Sequence, residues 1–234
     1  FQDSDNYLNY LSNKGTLYWK KKLSGKIVGD IDQIDIYKNG RQQMIFRTDE
    51  KLYLLDRNGN EVKQLSFPIN SSSTNIPISI FDYEKNRNYR ILITNDNEIN
   101  MYDSNGKIVS GFRPQLFKSK IIKSPVHIRI NGKDYIVIQL EDGSLKILDR
   151  RGRDRIIINN KIQYSGNSIY SYLEQFTTTD KLGNLIKIDS NGNLIKENLN
   201  LSGENYIDIV DNNLVYSNEN IITIKGINVE LPFS

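Results

Sequence analysis

The chain has 234 residues, enough for one sizeable core, and length alone permits one or two domains. Charged residues at 25% and hydrophobic ones at 38% describe a soluble globular chain and exclude a disordered one. A net charge of +3 gives no basic footprint for nucleic acid, no apolar run approaches the ~18–20 residues that span a bilayer, and the absence of cysteine removes disulfides, thiolate metal sites and cysteine nucleophiles together.

Alanine is also absent, while Ile, Tyr, Val, Thr and Phe favour strands and the abundant asparagine suits tight turns. In chain order, the first strand signal is Tyr7–Leu11, followed by a turn at Leu11-Ser12-Asn13-Lys14-Gly15. Beginning at Phe1 without an initiator Met, the chain reads as a processed or excised piece. The next stretch predicts four short strands, at Asp30–Asn39, Arg41–Arg47, Lys51–Leu55 and Glu61–Leu65. A third stretch predicts Ser79–Tyr83, Tyr89–Thr94, Glu98–Tyr102 and Lys107–Phe112, and a fourth Val126–Ile130, Asp134–Leu140, Ser144–Leu148 and Arg153–Ile158. The fifth runs through Ser168–Tyr172, Gln175–Thr179, Leu185–Ile188 and Leu194–Glu197, and the sixth through Tyr206–Val210, Asn213–Tyr216, Ile221–Ile224 and Asn228–Leu231.

One turn recurs between the last two strands of these stretches. It reads Leu55-Asp56-Arg57-Asn58-Gly59, Tyr102-Asp103-Ser104-Asn105-Gly106, Leu148-Asp149-Arg150-Arg151-Gly152 and Ile188-Asp189-Ser190-Asn191-Gly192. Glycines 15, 59, 106, 152, 192 and 226 recur every 34 to 47 residues. A period of that length with four strands per copy predicts an all-β chain, a β-propeller of four-stranded antiparallel blades. The blades are expected near 7–23 (partial), 27–66, 77–113, 125–159, 165–199 and 205–232, in one domain. That makes about five blades plus an N-terminal strand pair, part of a larger propeller whose ring closes outside this chain. Proline is expected between blades, at 68, 77, 114, 125 and 232. Phe67-Pro68, Phe112 and Leu231-Pro232-Phe233 read as hydrophobic plugs between neighbouring blades.

The Asn-Gly pairs at 39, 58, 105, 131 and 191 predict type I′ hairpin turns, which need positive φ at both central residues. Asp56, Asp103, Asp149 and Asp189 are expected to accept hydrogen bonds from turn N–H groups, and Gly59, Gly106, Gly152 and Gly192 to supply the positive φ. All eight therefore read as structural, and Val at Gly59, Gly106 or Gly192 is expected to cost about 1–3 kcal/mol alike.

The hydrophobic-Asp-x-x-Gly-x-x-hydrophobic turn, the Lys14–Lys20 stretch with its Gly15 and Trp19, and the strands Leu52–Asp56 and Leu145–Asp149 resemble the PQQ-like (quinoprotein-type) propeller repeat. The resemblance covers nearly the whole chain. That repeat is shared by quinoprotein dehydrogenases, outer-membrane-assembly lipoprotein propellers and large uncharacterised envelope proteins of Gram-negative bacteria, and this chain looks most like the last group. The enzymes carry a tryptophan near the end of nearly every blade, whereas this chain has Trp19 alone. Nothing resembles their quinone-holding acid, amide and calcium cluster, so no cofactor and no metal are expected. The resemblance implies a cell-envelope setting, periplasmic or outer-membrane-associated.

Catalytic constellations are weak. His127, the one histidine, lies in the alternating run Val126–Ile130 and reads as a packed or surface residue. The acid pairs Asp49-Glu50, Glu141-Asp142 and Asp82 with Glu84 lie on turns or adjacent positions that point apart. No phosphate-binding glycine loop or His-Glu-x-x-His motif is present. The most basic stretch supplies Arg150, Arg151, Arg153 and Arg155, read either as a patch for an acidic partner or as a solvated hairpin tip offset by Asp149 and Asp154. The reading that follows is a non-catalytic protein-interaction scaffold with envelope protein partners and no nucleic acid. The alternative is a small-ligand or glycan-binding propeller, with an enzyme third. First and third turns carry many bases and second turns many acids, so a basic end of each blade is expected opposite an acidic one.

Overall fold

The computed structural model describes residues 1–70, 75–113, 115–201, 205–224 and 226–230. The described residues contain no α-helix. They form one two-stranded sheet and five four-stranded antiparallel sheets, the blades of a β-propeller. The pair is β1 (Tyr7–Leu11) with β2 (Leu17–Lys22). The first blade holds β3 (Val28–Ile34), β4 (Gln43–Arg47), β5 (Lys51–Leu55) and β6 (Phe67–Pro68). The second holds β7 (Ser79–Phe81), β8 (Arg90–Asn95), β9 (Glu98–Asp103) and β10 (Gln115–Leu116). The third holds β11 (Val126–Ile130), β12 (Lys133–Gln139), β13 (Leu145–Leu148) and β14 (Asp154–Ile156). The fourth holds β15 (Tyr170–Tyr172), β16 (Gln175–Thr179), β17 (Asn184–Ile188) and β18 (Leu194–Asn198). The fifth holds β19 (Asn205–Val210), β20 (Asn213–Asn218), β21 (Ile221–Ile224) and β22 (Ile227–Glu230).

The chain divides into two compact units, Phe1–Ser124 and Pro125–Ser234. In the first, Leu8, Leu23, Phe46, Tyr53 and Leu55 pack with Trp19, joining the N-terminal pair to the first blade. Ile34, Ile45, Leu52, Leu54, Ile78, Ile91 and Ile93 fill the space between the first and second blades. In the second unit Val137, Ile147, Ile169, Phe176 and Ile186 form one core, with Phe176 edge-on to Tyr135 at 5.1 Å. There β15 lies beside both β11 and β19, so the first strands of consecutive blades adjoin. The second strands β8 and β12 are buried on both faces, which is why they are almost continuous apolar runs.

Fourth strands differ most from expectation. Glu61–Leu65 makes only a bridge at Glu61 and a 3-10 turn at Lys63–Leu65, and the strand is Phe67–Pro68. Lys107–Phe112 makes a bridge at Ile108, and the strand is Gln115–Leu116. The outermost strand pairs on one side only, so its position follows the tertiary packing of a few side chains rather than a periodic pattern. Pro68 accordingly sits inside a strand, at the blade edge where a missing N–H is tolerated. Pro114, Pro232, Leu231 and Phe233 lie outside the described residues.

The repeated turns also differ in type. Of the five Asn-Gly pairs, only Asn131-Gly132 has positive φ at both central residues (49° and 72°), giving a two-residue hairpin between Ile130 and Lys133. In the Asp-x-x-Gly turns the residue before the glycine (Asn58, Asn105, Arg151 or Asn191) is not at positive φ and the glycine alone is: 79° at Gly59, 73° at Gly106, 76° at Gly152 and 87° at Gly192. Each glycine N–H donates to the carbonyl of the Asp three residues earlier. This is a three-residue loop with a left-handed closing residue. Asp56 Oδ1 accepts from the N–H of Asn58 and Asn60 at 2.8 and 2.9 Å, and Asp103, Asp149 and Asp189 repeat the pattern.

The same loop occurs at a second turn, Asp180-Lys181-Leu182-Gly183, with Asp180 Oδ1 accepting from Leu182 and Asn184. Its signal was present in the sequence as a fifth Asp-x-x-Gly, hidden because it falls between a different pair of strands. Asp180 is 2% exposed, whereas Asp56 is half-buried. Replacing Asp180 by Ala is expected to cost about 2–3 kcal/mol in urea unfolding, and Asp56→Ala about 1 kcal/mol, because buried orphaned donors are not rehydrated.

Candidate anion-binding site on the third blade

The hairpins at 130–133 and 148–154 emerge at the same end of the third blade, since antiparallel order places first and third turns together. They enclose a shallow depression of about 350 Å³ lined by Arg129, Lys133, Asp134, Arg150, Arg151, Arg153 and Arg155, among others. All four arginines expected to form a patch are therefore brought together. Lys133 was expected at the same end as a first-turn base, whereas Arg129 was missed, because it lies on another hairpin and the β11–β12 register carries it there.

Asp134 organises the site. It is the second residue of β12 and 5% exposed. Arg150 grips its Oδ2 through Nε at 2.8 Å and through a second guanidinium nitrogen. His127 Nε2 lies 2.7 Å from its Oδ1, and Arg129 Nε 3.8 Å away. Arg155 donates to the Asp134 carbonyl at 3.0 Å and lies over the Tyr135 ring at 5.2 Å. Arg153 chelates Asp149 Oδ2 through two nitrogens at 2.8 and 2.6 Å. Arg151 uses its backbone N–H in the turn, and its side chain makes no hydrogen bond or ion pair among the described residues. Asp154 instead faces Lys146 at 3.4 Å.

Burial would raise the Asp134 carboxyl, but the hydrogen bonds and charge of His127 and Arg150 outweigh it and hold it below the usual range. Asp149 is likewise pushed up by burial and pulled below the usual range by Arg153 and the turn N–H groups. Both aspartates therefore stay ionised at neutral pH. Six cations face them, so the depression keeps a positive excess, and Arg150, Arg153 and Arg155 are already held in place.

Elsewhere the expected separation of charge is blurred. At second turns Lys161 pairs with Asp142, holding its carboxyl down to about 2, and Lys196 pairs with Asp180. At the opposite ends Asp35 is paired with Arg87 at 2.8 Å. Side chains on adjoining strands and loops find opposite charges at both ends, which weakens any field between them. No group of three or more His, Cys, Asp or Glu side chains is placed to hold a metal among the described residues.

No family model matches the chain, and no curated protein matches its sequence. Its fold does match solved structures. One is BBS1N in complex with ARL6DN, at 11% identity and a TM-score of 0.64 over 98% of this chain and 75% of that one. BamB from Moraxella catarrhalis matches at 15% identity and a TM-score of 0.59, covering 94% and 70%. Virginiamycin B lyase from Staphylococcus aureus matches at 12% identity and a TM-score of 0.53, covering 97% and 74%. At these identities the likeness is one of fold, and it takes in a chain solved in a complex and a lyase alike.

Proposed function

We propose that this chain is a non-catalytic scaffold that docks an acidic protein surface on the arginine-lined depression of its third blade. The setting proposed is a bacterial cell envelope, periplasmic or outer-membrane-associated. The carrying observation is that Arg150, Arg153 and Arg155 are held by Asp134, its carbonyl and Asp149, leaving Arg151 projecting among them. Pre-organised guanidinium groups lose little freedom on meeting a carboxylate, and a local positive field speeds encounter. Both aspartates are held ionised and gripped by arginines, which makes them weak general bases. A propeller of the same fold solved with a protein partner supports the same use here. The envelope setting rests on the likeness of the repeat to envelope propellers.

Arg151→Glu removes no internal bond, so it tests docking without touching the fold. In affinity purification of the full-length protein from its own envelope, partner recovery is expected to fall, with association slowed about tenfold at low salt and little at high salt. Arg41→Glu, on a first-blade loop, serves as the control. Unchanged recovery and unchanged salt dependence with Arg151→Glu would sink the reading.

A further inference from the structure

The N-terminal strand pair presents two aromatic side chains that the core does not consume, Tyr10 and Tyr18, beside the core-packed Trp19. Tyr10 and Trp19 face each other in the β1–β2 register and stack at 5.3 Å with 25° between ring planes. Tyr18 extends this ladder, 5.5 Å from Tyr10. Tyr10 is 42% and Tyr18 63% exposed. These rings and the loop residues Arg57 and Asn58 line a cleft of about 530 Å³.

The platform is rigid. The Trp19 indole N–H donates to the Arg57 carbonyl at 2.9 Å. The indole also lies against Gly59, where a Cβ would stand 2.8 Å from Cδ2. Gly59 therefore serves the ring as well as the turn. The hydroxyls of Tyr10 and Tyr18, the Arg57 guanidinium and the Asn58 amide make no hydrogen bond among the described residues, and all four meet at one cleft. Among the described residues Arg57 is its one lining cation.

We propose that this cleft binds an acidic saccharide. A pyranose has an apolar C–H face and a rim of hydroxyls, which matches a stacked aromatic floor bordered by a guanidinium and an amide. A wholly apolar ligand would desolvate those polar groups without replacing their bonds with water. A polyphosphate would need more than one cation. The cleft lies within the ~300–1,000 Å³ range of small-molecule sites. Arg57 selects a carboxylate on the sugar, because a charge-assisted fork outweighs a neutral contact. The proposal is independent of docking at the third blade.

Trp19 is the chain's one tryptophan, so its emission reports the cleft directly. Titration with tetragalacturonic acid is expected to shift or quench that emission saturably, and the methyl-esterified tetramer to bind about tenfold more weakly. Tyr18→Ala, at an exposed position, is expected to weaken both probes about tenfold with circular dichroism unchanged. Arg57→Gln is expected to remove the preference for the acid while leaving the ester unaffected. Arg151→Glu is expected to leave every titration as in the parent. The idea fails if neither probe alters emission at millimolar concentration, if Tyr18→Ala binds like the parent, or if acid and ester bind equally to the parent.

Discussion

Gly106→Ala is expected to destabilise the protein by about 4 kcal/mol, far more than the same change at Gly40. Both glycines have positive φ, 73° and 82°, so left-handed strain of about 1 kcal/mol is common to both. The difference lies in what surrounds them. A Cβ on Gly106 would stand 1.7 Å from the carbonyl oxygen of Gln64, in the outer segment of the preceding blade, whereas nothing lies within 4 Å at Gly40. Backbone cannot swing aside as a flexible side chain does, so the first and second blades must separate locally. Gly59 and Gly192 fall between, meeting the Trp19 ring at 2.8 Å and the Ile157 carbonyl at 2.6 Å. The three glycines are thus not equivalent, although their sequence motif is the same. Urea unfolding of Gly40→Ala, Gly59→Ala and Gly106→Ala measures the order. Equal losses at Gly40 and Gly106 would show that the close approach carries no energy.

Asp134→Ala is expected to cost about 2–3 kcal/mol at neutral pH. Removing one partner of a buried ion pair leaves the other charges uncompensated. The figure sits at the low end because Arg129 and Arg150 are 47% and 39% exposed and are partly rehydrated. The sign of the pH dependence follows from the lowered carboxyl. Its contribution is complete at neutral pH, above the ordinary value of 3.8, and is lost as pH falls through the lower folded value. The gap between parent and variant is therefore expected to narrow as pH falls below 3.8 and to close only below the lower folded value, with the parent showing the steeper acid limb. Guanidinium unfolding at pH 7 and at pH 3 distinguishes this from a packing loss, which persists unchanged at both.

These two residues show where sequence reading reached its limit. The Asp-x-x-Gly period identified the fold because a short loop closed by a left-handed residue is a local device, written in consecutive residues. Its Asp56, Asp103, Asp149 and Asp189 bonds to turn N–H groups are local for the same reason. The arginines at 150, 151, 153 and 155 were visible as a cluster because they are neighbours in sequence. Asp134 and Arg129 were not, since strand register alone carries them to the same depression. His127, read only as packed or on the surface, belongs to that network. Nor did Tyr10, Tyr18 and Arg57 signal a cleft, although Trp19 was singled out as the one tryptophan.

The sequence by itself determined an all-β architecture of repeated four-stranded blades, because strand length, turn chemistry and period are properties of short contiguous segments. Tertiary structure alone decided where the fourth strands pair, at Phe67–Pro68 and Gln115–Leu116. It also decided which glycine a neighbouring blade crowds and which charges cancel. Those outcomes depend on contacts between residues tens of positions apart, whose distances are set by how blades stack and not by any local pattern.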